Sequence, residues 1–147
     1  MGEPFGEALA RFRKQHPDIG VAEVYVTDLN GIARGKLVPM DMLEKLGEGG
    51  MKMPISTLVL DIFGSDVPET GLALERGDPD GVLMAVPESL APMLWADRPT
   101  AQIQCMMSDE TGEGPSVYDP RAILARVVER AARRGFTAVM ALELEFY

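Results

Sequence analysis

The run VAEVYVTDLNGIARGKLVP, residues 21–39, constrains the fold more than any other stretch of this chain. Two β-type segments flank Asn30-Gly31, a pair that favours the tight turn of a hairpin. In the first segment Val24 and Val26 alternate with Glu23, Tyr25 and Thr27, which sends the apolar side chains to one face. The pattern predicts a β-hairpin over about 21–38.

Elements follow on either side. Phe5, Leu9 and Phe12 recur at helical spacing and Pro17 ends the segment, so residues 4–16 read as a short amphipathic helix able to dock on the core or on another subunit. Residues 39–47 suit a short helix that closes in the glycines of GEGG. STLVLDIFG at 56–64 reads as a strand or buried extended run, and 64–81 is a long loop rich in Gly, Pro, Asp and Glu. VLMAVP at 82–87 and TAQIQCMMSD at 100–109 are further strand candidates, separated by a Pro-bounded segment that carries Trp95. SDETGEGPS at 108–116 has the composition of a linker.

The best-marked helix comes next. Asp119 stands at its N-cap, Pro120 in its first turn and Gly135 past its end. Ile123, Leu124, Val127, Val128 and Ala131 form an apolar stripe, and Arg126, Arg130, Arg133 and Arg134 lie on other faces. TAVMALELEFY then alternates as a strand, with Met140, Leu142, Leu144 and Phe146 on one face and Glu143 and Glu145 together on the other.

Composition bounds the function classes. The 147 residues, 46% hydrophobic and 25% charged, fit one globular domain, or one domain with a piece of another. A formal charge of −9, from 23 acids against 14 bases, argues against a nucleic-acid or anionic-membrane surface as the main partner. The single cysteine, Cys105, excludes an intramolecular disulfide and fits a reducing compartment. No apolar run approaches the roughly 18–20 residues that span a bilayer. The start has no apolar signal segment, and Gly6 replaces the Ser or Thr of a myristoylation pattern. The expectation is a soluble cytoplasmic protein.

Residues i and i+2 on one strand face stand about 6–7 Å apart. Carboxylates so spaced, as at Glu143 and Glu145, can hold neighbouring hard cations such as Mg or Mn, share a charged substrate, or simply line a solvated acidic face. Other candidates read more plainly. Asp78 and Asp80 before Gly81 suit a Pro-Asp-Gly turn better than a calcium loop, whose later ligands are missing. Gly47, Gly49 and Gly50 before Lys52 do not match a phosphate-loop spacing. His16, beside Pro17, has no triad or zinc partner in view and reads as a surface residue. Arg34 and Lys36 either face an anionic ligand across a subunit interface or belong to a solvated face. The methionines, Met106 and Met107 among them, read as core filler.

The order of these motifs resembles one family. Glu143-Leu144-Glu145-Phe146-Tyr147, preceded by the helix starting Asp119-Pro120-Arg121 and the strand with Cys105, resembles glutamine synthetases and their γ-glutamyl-amide ligase relatives. Asp28-Leu29-Asn30-Gly31 with Arg34-Gly35-Lys36 is similar to the amino-terminal part of that family, especially its γ-glutamylpolyamine-synthetase-like branch, and Gly77-Asp78-Pro79-Asp80 before an apolar strand also fits. The likeness covers about residues 18–147.

The resemblance implies an α+β fold: a helical arm at 1–17, a β-grasp-like mixed sheet packed on a helix at 18–109, and at 110–147 a linker with the first helix and strand of a catalytic domain cut short. It implies an ATP-dependent ligase in which the γ-carboxylate of glutamate is phosphorylated and ammonia or an amine attacks the acyl phosphate. Glu143 and Glu145 would then be metal ligands, one toward each of two Mg or Mn sites. The nucleotide and glutamate pockets would lie beyond Tyr147, so the fragment alone would neither catalyse nor bind these cofactors tightly. Active sites in the family form between subunits of a homo-oligomeric ring, where a loop aspartate helps bind and deprotonate ammonium. Asp61 is the match, but the ammonia-using enzymes carry Phe-Asp-Gly-Ser-Ser where this chain has Leu60-Asp61-Ile62-Phe63-Gly64-Ser65. Two extra residues before the glycine leave room for an amine substrate; a strand-end turn carboxylate is the alternative reading of Asp61, of equal weight. A contrasting reading of the whole chain is a non-catalytic β-grasp interaction or assembly module.

Overall fold

The structure is a computed structural model that describes residues 3–145. Helix α1 spans Phe5–Gln15 and buries Ala8, Leu9 and Phe12, the face that its 3.6-residue spacing predicts. Strands β1 (Val21–Thr27) and β2 (Ala33–Pro39) form the expected antiparallel hairpin, in register from Val21 with Pro39 to Thr27 with Ala33. Its turn is a three-residue loop, not a two-residue one. Asp28 N–H donates to the Ile32 carbonyl at 3.0 Å, Gly31 N–H donates to the Asp28 carbonyl at 3.0 Å, and Gly31 takes the left-handed conformation at φ +79°.

Strands β3 (Lys52–Pro54), β4 (Asp80–Ala85), β5 (Ala91–Pro92) and β6 (Thr100–Met107) complete a mixed sheet of order β2-β1-β6-β4-β3, with β5 also on β6. Only β1 and β6 run parallel, from Val21 beside Thr100 to Tyr25 beside Gln104. The two adjacent strands send Ala22, Val24, Val26, Ala101, Ile103, Cys105 and Met107 into one core, which Leu9 and Phe12 of α1 and Leu43, Leu46, Leu58 and Leu72 of the connections close. Full burial of each large aliphatic side chain contributes about 1.5–3 kcal/mol, so this face of the β1–β6 pair dominates stability. Met40, Met51 and Met107 are part of the core, as the filler reading anticipates, whereas Met106 is half-buried and Met42 and Met140 are exposed.

Helix 39–47 divides into a 3-10 turn at Met40–Leu43 and one α-turn, α2, at Glu44–Gly47. Three expectations need correction. STLVLDIFG forms no strand: Ile55–Leu58 is a 3-10 turn, and Leu58 and Val59 reach the core through that turn. The carbonyls of Leu58, Leu60 and Asp61 accept hydrogen bonds from Leu29, Asn30 and Arg34 of the hairpin, so they need no sheet partner. β3 and β5 went unpredicted because three and two residues carry no readable alternation.

The third correction is at 137–147. Among the described residues this segment is not a strand, and Val139, Met140, Leu142 and Leu144 are all exposed, Leu142 at 91%. Strand geometry holds only where a neighbour supplies hydrogen bonds, and none of the described strands pairs with it. Phe146 and Tyr147 lie outside the described residues.

Helix α3 spans Pro120–Ala132 with Asp119 at its N-cap, as read from the sequence. Its end carries the paired Schellman bonds, Phe136 N–H to the Ala131 carbonyl and Gly135 N–H to the Ala132 carbonyl. Only Ala122 of this helix is buried; Ile123, Leu124, Val127 and Val128 face outward.

Candidate functional site: the hairpin tip and the Asp61 loop

The β1–β2 tip is organised by a buried carboxylate. Asp28 is 1% exposed, and its Oδ1 accepts the N–H groups of Asn30 and Ile32, both at 2.8 Å. Its Oδ2 accepts Arg34 Nε–H at 2.9 Å. Burial works to raise the Asp28 pKa, but the Ile32 N–H, the Arg34 guanidinium and the Asn30 N–H together outweigh it and hold the carboxyl below its ordinary range. Asp and Asn beside a glycine favour such side-chain-to-backbone turns, because the short carboxylate reaches N–H groups two and four residues on.

The tip in turn grips residues 58–61. Leu29 N–H donates to the Leu58 carbonyl at 2.9 Å, and Asn30 Nδ2–H to the Leu60 carbonyl at 2.7 Å. Arg34 Nη2–H reaches the Asp61 carbonyl at 3.3 Å. Arg34 therefore serves an internal ion pair and a loop contact, and is neither a free ligand-facing cation nor part of a fully solvated face. Lys36 donates to the Lys52 carbonyl at 3.0 Å, tying β2 to β3.

Asp61 shapes its own loop. Its Oδ1 accepts Phe63 N–H at 2.8 Å and Ser65 N–H at 2.9 Å, its N–H donates to the Ser65 carbonyl, and its carbonyl accepts Gly64 N–H. This half-buried carboxylate sits at the base of a turn whose tip, Ile62 and Phe63, points outward, Phe63 at 86% exposed. Gly64 has φ +84°, and a Cβ there would stand 3.1 Å from Arg34 Nη1, so the glycine meets both the turn and the guanidinium packed on it.

Asp78, at φ +49°, accepts the Ser56 N–H at 3.3 Å and its hydroxyl at 3.0 Å, anchoring the 3-10 turn that leads into the Asp61 loop. Asp80 opens β4. His16 stacks on Phe12, ring centroids 4.7 Å apart, so it is a half-buried helix-end residue and not a plain surface one. Burial pushes the Cys105 thiol up to about 12, which removes thiolate chemistry at neutral pH.

The structure thus gathers Asp61 with Asp28, Asn30 and Arg34. Glu143 and Glu145 lie apart from any strand on the exposed stretch after α3, so the regular same-face placement expected of them is not formed here. Among the described residues no group of three or more His, Cys, Asp or Glu is placed to hold a metal ion. Sequence reasoning treated Asp28 and Asn30 only as turn and family markers. Their spacing ahead of Gly31 was the available signal for a side-chain-closed turn; the loop they clamp lies thirty residues away and had none.

No protein-family model matches the chain. It is, however, 38% identical over 146 residues to the gamma-glutamylputrescine synthetase PuuA of Escherichia coli (strain K12), covering 99% of this chain and 30% of that protein. Its homologues are members of the glutamine synthetase family. A glutamine synthetase of Thermococcus kodakarensis is 31% identical over 122 residues, 82% of this chain and 24% of the relative. A glutamate–isopropylamine ligase of a Pseudomonas species is 30% identical over 143 residues, 92% of this chain and 29% of the relative. Among solved structures, GmaS in complex with ADP superposes with a TM-score of 0.63 at 25% identity, over 86% of this chain and 26% of that one. The chain spans about 30% or less of the length of these glutamine synthetase family relatives.

Proposed function

We propose that this chain is the amino-terminal, subunit-facing part of an ATP-dependent ligase that joins the γ-carboxyl of glutamate to an amine. The observation that carries the reading is sequence likeness running through nearly the whole chain to ligases named for γ-glutamylputrescine and glutamate–isopropylamine. Residues 18–109 are read as a β-grasp domain, a reading supported by their mixed sheet, onto whose core α1 of the preceding segment packs. Residues 1–17 are its helical arm, and 110–147 the beginning of the catalytic domain. The parent is read as a cytoplasmic homo-oligomeric ring with each active site shared between neighbours.

Chemically, a carboxylate is a poor acyl donor until phosphate transfer from ATP turns its oxygen into a leaving group. Amine nitrogen then attacks the acyl carbon, phosphate departs, and the new amide sheds a proton. An alkylammonium ion must lose a proton before it can attack. Asp61 is assigned that role in the neighbouring subunit's site, as an anion that holds the ammonium and accepts its proton. Ile62 and Phe63, the two residues inserted before Gly64, set exposed apolar surface beside this carboxylate, which suits the alkyl part of an amine better than ammonia.

The donor chemistry of Glu143 and Glu145, two hard oxygen ligands, fits Mg or Mn, with further ligands supplied from outside this chain. Such cations, when bound, neutralise phosphate charge. The fragment by itself is proposed to be inactive. The test is ATP turnover by the full-length protein with glutamate, Mg and a panel of ammonium, isopropylamine and putrescine. Turnover that requires one amine and collapses in Glu143→Ala and Glu145→Ala is expected. A folded, ring-forming protein with no turnover on any nucleophile would overturn the ligase and leave an assembly module.

A further inference from the structure

We propose that Asn30 and Arg34, oriented by buried Asp28, are positioning residues for Asp61, and that the hairpin tip thereby sets the geometry of amine capture. The inference rests on the ligase reading above for its catalytic meaning, but the clamp itself stands on this chain's own contacts.

Three donors from the tip converge on consecutive parts of one segment. Leu29 N–H, Asn30 Nδ2–H and Arg34 Nη2–H take the carbonyls of Leu58, Leu60 and Asp61 at 2.9, 2.7 and 3.3 Å. A segment without a sheet partner would otherwise leave these carbonyls to water. Arg34 is fixed from behind by Asp28 and lies across Gly64, so the guanidinium is wedged between the buried carboxylate and the loop whose N–H groups hold Asp61 Oδ1. Asp28 itself is locked by two further backbone N–H groups, so it cannot swing away with Arg34. Asp61 and its loop are therefore carried by the β1–β2 hairpin, and a shift of about 1 Å at a reacting group can cost on the order of 100-fold in rate.

The planar fork of Arg34 matters because it must serve Asp28 and the Asp61 carbonyl at once. Lysine at this position can neutralise Asp28 but has a single ammonium to place. That difference separates positioning from simple stability.

The experiment has two arms. In the full-length protein, Asn30→Ala, Arg34→Lys and Gly64→Ala are assayed with glutamate, ATP, Mg and the amine that supports turnover. A roughly 10- to 100-fold loss in kcat/KM for the amine is expected, with KM for glutamate and ATP unchanged. Arg34→Lys is expected to keep most of the thermal stability while losing amine kcat/KM, which a merely structural arginine would not do. Recovery of both together overturns the proposal. In the second arm, amide hydrogen exchange compares the same variants with the parent. Faster exchange at Phe63 and Ser65 with β1 and β6 unchanged is expected, and unchanged exchange at those two amides overturns the clamp. If Asp61→Asn keeps the parent's amine kinetics, the catalytic role assigned to Asp61 fails, and the exchange arm still decides whether the clamp exists.

Discussion

Arg34 Nε lies 2.9 Å from Asp28 Oδ2, with the Asp28 side chain completely buried and that of Arg34 21% exposed. Removing the carboxylate strands the guanidinium and two tip N–H groups at once. Loss of one partner of a buried pair costs about 3–5 kcal/mol. Because Arg34 keeps some access to water, Asp28→Ala is expected near the lower end, about 3 kcal/mol, measured as the shift in urea midpoint at constant slope. A change below about 1 kcal/mol would show that water replaces the carboxylate without penalty.

The same carboxylate sets an acid dependence. Its folded pKa lies below its unfolded value, so between the two the unfolded chain binds more protons. The stability from Asp28 is fully present above the unfolded pKa, about 3.9, and is lost as pH falls through the folded value. Urea unfolding at pH 7 and at about pH 3 should therefore show a drop in stability that is smaller in Asp28→Asn. Equal drops in both proteins would place the acid sensitivity elsewhere.

Asp119 joins the sheet to α3. Its Oδ1 accepts Ala122 N–H at 3.0 Å as a helix cap, and its Oδ2 accepts Met107 N–H at 2.7 Å at the end of β6. Asp119→Ala is expected to cost about 2–4 kcal/mol, from loss of the cap and an unpaired buried N–H. Asn offers one carbonyl oxygen for the two donors, so Asp119→Asn should fall between. Exchange at Ala122 and Met107 reads which bond it keeps.

The apolar residues divide sharply by burial. Ile103→Ala should destabilise by about 2–5 kcal/mol, since Ile103 is completely buried in the core. Leu142→Ser should stay within about 0.5 kcal/mol in this chain, because Leu142 is exposed. Parallel denaturation curves of the two variants check both. A large effect at Leu142 would mean that the segment packs in solution.

Legibility followed the range of the interactions. The hairpin, α1, the strands near 82–87 and 100–109, and α3 with its Asp119 cap rest on periodicity and on neighbours within a few residues, and all were readable. The segment 56–64 was misread because an apolar run reports burial and not backbone geometry. The short strands β3 and β5 exist only because β4 and β6 offer open edges.

Sequence alone determined which residues are apolar, the hairpin over 21–39 and the ends of α1 and α3. Tertiary structure decided that β1 pairs in parallel with β6, and that Arg34 turns inward to Asp28 and the Asp61 loop. It also decided that the alternating run after α3 is not a strand among the described residues. The reason is physical: side-chain polarity and local turns are encoded residue by residue, whereas a hydrogen bond between distant segments depends on which edges and carbonyls the folded chain leaves open.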